Sequence, residues 1–293
     1  MKQLELKWQS KVVLLAVVPY VGAGLVVQTH WWVVADLPVA IWTLSLSLLL
    51  GGLVLAVRAA TMGAAATGFA ITASLMFSTA TLPYAPWRTA LTPVLAVSLL
   101  TYLCTRVGRG QKEALGVAEG RSGRDAAQVA ANLGVSALAS SELAISWMSQ
   151  SGWLPATWLG TGALYAVGLA ALAEAAADTV SSELGQVLGG VPRMITTMRT
   201  AKPGSDGAIS VMGSLAGVAA AILIAGVGTW ALQGDRFLFE AASAGGIFGL
   251  FFDSLLGATL ELRGRLNNDA VNFLSTVSAA MFGLGVLVVL ARV

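Results

Sequence analysis

The chain has 293 residues, of which 56% are hydrophobic and 11% charged, with a formal net charge of +2. A soluble domain of average usage carries about 25% charged residues, so this supply of polar surface is too small to cover a water-soluble globule. Composition therefore excludes an ordinary soluble enzyme, and no nucleic-acid partner is expected.

The apolar residues come in runs, and residues 12–27, 48–57, 91–100 and 211–227 hold almost no ionisable side chain, Tyr20 alone. Lipid offers backbone amides no partner, so such runs must be helical. Crossing the hydrocarbon core takes roughly 20 residues at about 1.5 Å each. In chain order the pattern predicts nine spans, at about 10–28, 36–57, 60–80, 87–104, 125–149, 157–180, 208–230, 237–260 and 270–291. The expected fold is all-α, a polytopic transmembrane helical bundle. The first run follows Lys2, Lys7 and Lys11 without a small-residue cleavage pattern, so no removable leader is expected. Thirty-three glycines suit helices packed at small-residue contacts. Cys104 has no cysteine partner and reads as packing, while His30 beside Trp31 and Trp32 reads as interfacial.

Basic residues orient the spans. With the N-terminus inside, fourteen of the 17 Lys and Arg fall in cytoplasmic segments, leaving only Arg88, Arg236 and Arg292 outside. Six tryptophans (31, 32, 87, 153, 158 and 230) mark the outer interface. The expected location is the plasma membrane of a prokaryote, with multiple passes and the active face cytoplasmic.

Residues 1–104 read as membrane scaffold helices and residues 105–293 as a catalytic half with three cytoplasm-facing helix–loop–helix units, together one integrated domain. Each unit passes a basic loop and leaves on a helix with a polar opening, at Asp125-Ala-Ala-Gln128, Asp206-Gly-Ala-Ile209-Ser210 and Asp269-Ala-Val-Asn272.

Ionisable residues inside a span are costly and normally face a bundle interior or a wet cavity. Three clusters stand out. Asp125, Gln128 and Asn132 share one helical face. Glu174, Asp178 and Glu183 close the sixth span around Ser181 and Ser182. Asp253, Ser254, Gly257 and Glu261 close the eighth, followed by Asn267, Asn268, Asp269 and Asn272. Between the last two lies Lys202-Pro-Gly204-Ser205-Asp206-Gly207, then Ser210, a glycine-rich loop opening a helix, where free amides and the helix dipole favour phosphate. Carboxylates beside such a loop suit Mg²⁺ holding phosphoryl oxygens, because Mg²⁺ takes hard oxygen ligands and usually only one or two carboxylates.

Plainer roles compete for many of these residues. Asp125 reads equally as an N-cap, and Asn268 or Asp269 as the cap of the ninth helix. Glu183, Glu261 and Glu113 read as interfacial charges, and Glu142 and Glu240 as structural. Asp178 and Asp253 resist that treatment, since neither has a Lys or Arg one turn away.

Five blocks carry a family resemblance: Arg124-Asp-Ala-Ala-Gln-Val-Ala-Ala-Asn132, Ala177-Asp-Thr-Val-Ser-Ser-Glu-Leu-Gly185, Pro203-Gly-Ser-Asp-Gly-Ala-Ile-Ser210, Phe252-Asp-Ser-Leu-Leu-Gly-Ala-Thr-Leu-Glu261 and Asn268-Asp-Ala-Val-Asn272. In order and spacing they resemble the integral-membrane family that contains plant phytyl-phosphate kinase, over roughly residues 10–290. The resemblance implies phosphorylation of a prenyl monophosphate to the diphosphate by a nucleoside triphosphate, with CTP expected and Mg²⁺ as cofactor. It would put Asp178, Asp253 and Glu183 at the catalytic centre, with Asp269 and Glu261 as further metal ligands. Lys112, Arg124, Gln128, Asn132, Lys202, Gly204, Ser205, Asp206, Gly207, Ser210, Ser254, Gly257, Asn268 and Asn272 would line the substrate and its phosphates. The prenyl chain would reach the site between helices, past Phe248, Phe252 and Leu256, with membrane lipids around and a homodimer as an option. Two other readings remain: a carrier or flippase for a polyprenyl phosphate or small anion, using broken helices, and a structural scaffold.

Overall fold

The computed structural model describes residues 7–116, 123–152 and 162–292. Its helices are α1 (Lys7–Ala35), α2 (Leu37–Ala56), α3 (Met62–Ser78), α4 (Leu91–Arg106), α5 (Arg109–Leu115), α6 (Ala126–Ala139), α7 (Glu142–Gln150), α8 (Ala166–Leu188), α9 (Val211–Ala231), α10 (Arg236–Leu256) and α11 (Asn268–Leu290). The protein is an all-α membrane bundle. Its sheet is a two-residue ribbon, β1 (Arg193–Met194) antiparallel to β2 (Ala208–Ile209), inside the α8–α9 connection.

Helix starts follow local chemistry. Asp36 caps α2 through the Val39 amide, with proline in the first turn, which ends α1 and restarts the chain at once. Thr61, Ser141 and Ser210 cap α3, α7 and α9 in the same way.

Among the described residues, five helices are long and apolar enough to cross a membrane: α1, α2, α9, α10 continued to Glu261, and α11. The α6–α7 pair, bent by 47° at its break, makes a sixth if taken as one span. Nine spans are therefore not confirmed. The shortfall has a physical cause. Helices α3 and α4 have 17 and 16 residues. Helix α8 has 23, but it lies at the centre, touching α4, α6, α9, α10 and α11, with every side chain from Ala166 to Ala177 buried. A helix walled by protein has no need of a lipid-grade surface, so it can be alanine-rich and carry carboxylates.

Helices gain no hydrophobic driving force from one another in lipid, so close van der Waals contact must hold them. The glycines of α9 and α10 provide it. A Cβ at Gly217 would lie 2.9 Å from the Ala177 carbonyl oxygen, and one at Gly249 2.4 Å from Glu174 Cγ. These contacts draw α9 and α10 onto the polar side of α8. Away from that side, Tyr165 Oη donates to the Ser78 carbonyl at 2.5 Å and ties α3 to the start of α8.

Candidate functional site

The C-terminal ends of α8 and α10 and the starts of α9 and α11 enclose a polar cavity of about 280 Å³. Helix α8 contributes Asp178, Ser181, Ser182, Gly185 and Gln186, a stripe at helical spacing. Helix α10 contributes Asp253 and Ser254, then opens at residues 257–261 into a π turn that brings Gly257 and Glu261 to the wall. Such single wide turns are frequent at functional sites. The rest of the wall is the loop Gly204, Ser205, Asp206 and Gly207, with Ser210 and Asn268.

The loop is fixed against α10 by backbone contact. Gly207 has φ +74°, and a Cβ there would sit 2.2 Å from the Ala258 amide nitrogen; one at Gly257 would meet the Gly207 nitrogen at 2.7 Å. Two glycines therefore face each other because neither has room for a side chain. Gly204 is also left-handed, at φ +76°. The Gly204, Asp206 and Gly207 amides have no acceptor among the described residues, whereas Ser205 donates to the Lys202 carbonyl at 3.1 Å.

Asp178 and Asp253, 75 residues apart in sequence, bring their carboxyl groups within hydrogen-bonding range of each other. Ser275 of α11 lies near both Asp253 and the fully buried Glu174, while its hydroxyl donates to the Asn272 carbonyl at 3.0 Å. Asp253 Oδ2, Glu174 Oε1 and Gln186 Oε1 are buried with no hydrogen-bond partner among the described residues. Asp178, Asp206, Asp253 and Glu261 line the cavity, and among the described residues no Lys or Arg does. Among the described residues no three acidic, His or Cys side chains converge as a complete metal site. Asp206 sits at the rim, where partial loss of hydration raises its carboxyl above the usual range.

Other residues singled out from the sequence lie outside this cavity. Lys112 and Glu183 form an ion pair with each other, and the almost wholly buried Lys112 also donates to the carbonyls of Cys104 (3.0 Å) and Thr105 (3.3 Å). All three of its N–H donors are engaged, so Lys112 reaches a phosphate, and Glu183 a metal, only if that pair breaks. Asp125 and Gln128 form a capping box, and Asn132 donates to the Gln128 carbonyl at 2.8 Å, inside its own helix. Lys202 is exposed beside the loop. Arg124 donates to Thr179 Oγ1 at 3.3 Å and lies within Coulombic reach of Asp178.

At α11 the cap is Asn267, accepting from the Ala270 amide at 2.9 Å, rather than Asn268 or Asp269. Asn272 lies one turn in and accepts through its carbonyl from Ser275. Asp269 accepts from Ser10 at 2.5 Å, while Gln9 bonds both the Asn267 amide and the Arg265 carbonyl. The start of α1 thus clamps the start of α11, which nothing in residues 9 and 10 announces. Ser275 and Gln186 are not singled out by the sequence, although Gln186 follows from Asp178 at i+8. The seam at Phe248 is filled: its ring stacks on Phe252 and Phe282 at 5.7 and 4.3 Å.

An all-helical bundle with a carboxylate-lined cavity at one end defines a polytopic membrane protein with a polar site at its surface. The chain belongs to the family described as integral membrane protein DUF92, which it matches over residues 45–280. This is the family that the five sequence blocks resemble. Relatives include an uncharacterized membrane protein of Synechocystis, 33% identical over 68% of this chain and 74% of its own length. An uncharacterized membrane protein of Methanocaldococcus jannaschii is 43% identical over 40% of this chain and 48% of its own. Protein VTE6, chloroplastic, of Arabidopsis thaliana is 29% identical over 62% of this chain and 54% of its own length. The chain thus spans about half the length of the archaeal and plant relatives. No solved structure matches.

Proposed function

We propose that the protein is a prenyl-phosphate kinase, transferring a phosphoryl group from a nucleoside triphosphate, with CTP as the expected donor, to a prenyl monophosphate at the cytoplasmic face. The observation that carries this reading is the cavity, which joins two facing aspartates, a glycine loop with open amides and a helix start in one place. Of the four carboxylates lining the cavity only Asp178 has a basic group within Coulombic reach, Arg124, which lies outside the wall, and Asp253 Oδ2 has no hydrogen-bond partner among the described residues. That donor set suits Mg²⁺, which is commonly held by one or two carboxylates and completed by phosphate oxygens.

Asp178 and Asp253 would hold the metal, with Asp206 and Glu261 at the rim. Bound there, the ion would neutralise phosphoryl oxygens and hold them in position. The chain's own residues do the rest. The Gly204, Asp206 and Gly207 amides point donors at an anion, while Ser210, Ser254 and Asn268 offer neutral hydrogen bonds. Phosphoryl transfer depends chiefly on positioning and charge stabilisation. Gln9 and Ser10 would act through α11, fixing the helix start at Asn267 and Asp269. Lys112, Glu183, Gln128 and Asn132 would act as structure, and Asn272 would position neighbours. The family resemblance and the relationship to Protein VTE6 support the same substrate class.

A carrier would place its polar groups along a route to the midplane, whereas this cavity lies at one end of the bundle. The two readings part in proteoliposomes. The kinase consumes nucleoside triphosphate only when prenyl monophosphate is present, and Asp253→Asn abolishes that consumption. Translocation of prenyl monophosphate with no nucleotide consumed would instead establish the carrier.

A further inference from the structure

A second cavity, of about 160 Å³, lies between α2, α3, α4 and α6, and nothing in the phosphate chemistry above uses it. Its depth is mostly apolar: Leu50, Val54, Gly68, Val94, Val129 and Leu133 line it, with the hydroxyls of Thr72 and Ser98 among them. From Arg106 at the mouth to Val94 is twelve residues of α4, so it reaches about 18 Å into the bundle. The mouth is another matter. Arg58, Arg106, Arg109 and Arg124 all line it, and among the described residues no carboxylate does. An apolar slot ending in four guanidinium groups has the charge pattern complementary to a lipid with an anionic head.

The mouth is built rather than incidental. Residue 124 is pinned to the end of α2, its amide donating to the Ala59 carbonyl at 3.0 Å and its carbonyl accepting from Thr61 at 2.9 Å. Gly123, at φ +71°, lies so close that a Cβ would stand 2.5 Å from the Ala59 carbonyl carbon. Arg58 itself sits at φ +56°, a conformation a non-glycine residue keeps only when its surroundings impose it. Arg58 has no ion-pair partner among the described residues. Arg106 is stacked at 4.4 Å over Tyr102, and Arg109 is held only by an exposed pair with Glu113. An exposed pair of that kind is cheaply released.

We propose that this cavity binds a single-chain lipid monophosphate, its chain between the helices and its phosphate among the four arginines. This deepens the kinase reading and rests on it for the lipid's identity as acceptor. The geometric link is Arg124, which lines this cavity and also bonds Thr179, the residue after Asp178. A phosphate held there lies beside the carboxylate cavity and not at the far membrane face. The small volume between the four helices, about 160 Å³, favours one chain over two.

The test is the affinity of the full-length protein for farnesyl monophosphate, measured calorimetrically in a neutral maltoside detergent. Losing two charge-assisted contacts in Arg58→Gln/Arg106→Gln should weaken binding at least about tenfold. Gly68→Leu tests the chain end without touching an arginine. A Cβ at Gly68 has only an ordinary contact, 3.9 Å from Val129 Cγ1, so the rest of the side chain fills the slot. It should weaken farnesyl monophosphate while leaving inorganic phosphate unaffected. Arg88→Gln, at the opposite membrane face over Trp230, should change nothing. Unaltered farnesyl monophosphate binding in both cavity variants overturns the proposal, as does equal or tighter binding of two-chain phosphatidic acid at the same arginines. If instead binding responds as expected but no nucleotide is consumed, the cavity stands and the kinase reading fails.

Discussion

At the scale of single residues, the facing carboxyl groups of Asp178 and Asp253 make opposite demands on stability and function. Two like charges brought together with one arginine, Arg124, in Coulombic reach of Asp178 are only partly compensated, so neutralising Asp253 relieves the apo protein. Asp253→Asn should raise the melting temperature measured without metal, while removing the further rise that Mg²⁺ gives the wild type by binding only the folded state. A variant that melts lower without Mg²⁺ and keeps the Mg²⁺ response would contradict this placement. Asp206 adds a pH test. Its carboxyl is raised by lost hydration, so the folded state favours the protonated form, and that advantage is lost as pH rises through the folded value. Asp206→Asn should therefore be the more stable protein at pH 7, with the gap closing once the pH falls below the ordinary carboxylate range, as thermal melts across pH would record. Gly207→Ala should cost about 1–3 kcal/mol, because its Cβ meets the Ala258 backbone in a left-handed conformation. Loss of the loop's register follows whether or not phosphate is present, so the damage appears in melting as well as in turnover.

Among the helices, the buried Lys112–Glu183 pair joins α5 to α8. Removing one partner leaves an uncompensated buried charge, an effect of about 3–5 kcal/mol, whereas replacing both with apolar residues is often neutral. Lys112→Met should thus melt well below wild type, and Lys112→Met/Glu183→Leu should recover most of the loss with turnover per folded molecule intact. Turnover that stays abolished in the stable double variant would restore both residues to the site. Helix-scale features were unevenly legible in the sequence. Asp178 and Asp253 could be picked out because a carboxylate inside an apolar helix is costly wherever it points, and the 204–207 loop because glycines flank it ahead of a helix. The Lys112–Glu183 pair and the Gln9 and Ser10 clamp could not, since each depends on contacts 71 to 259 residues distant. Of the arginines of the second cavity, Arg124 stood out as a phosphate contact through the family resemblance, and Arg58, Arg106 and Arg109 only as topology markers; that they share a mouth is a property of how α2, α4 and α6 pack. The count of nine spans is not confirmed by length and hydropathy, which pass over the protein-enclosed α8 because they assume lipid contact.

For the whole molecule, both cavities open at the end where α2, α4, α8 and α10 finish, the end richest in Lys and Arg. If that end faces the cytoplasm, a cysteine introduced at the exposed Met198, on a Cys104→Ala background, should react only from inside, and one at Gln233 only from outside. The reverse pattern would invert the orientation. One measurement addresses the central claim most directly: following the γ-phosphate of labelled CTP, ATP, GTP or UTP when purified protein is incubated with Mg²⁺ and phytyl monophosphate. The account predicts label in phytyl diphosphate, absent without Mg²⁺ and absent with Asp253→Asn. Label in the diphosphate at full rate with Asp253→Asn, or in no product with any of the four nucleotides, would contradict it.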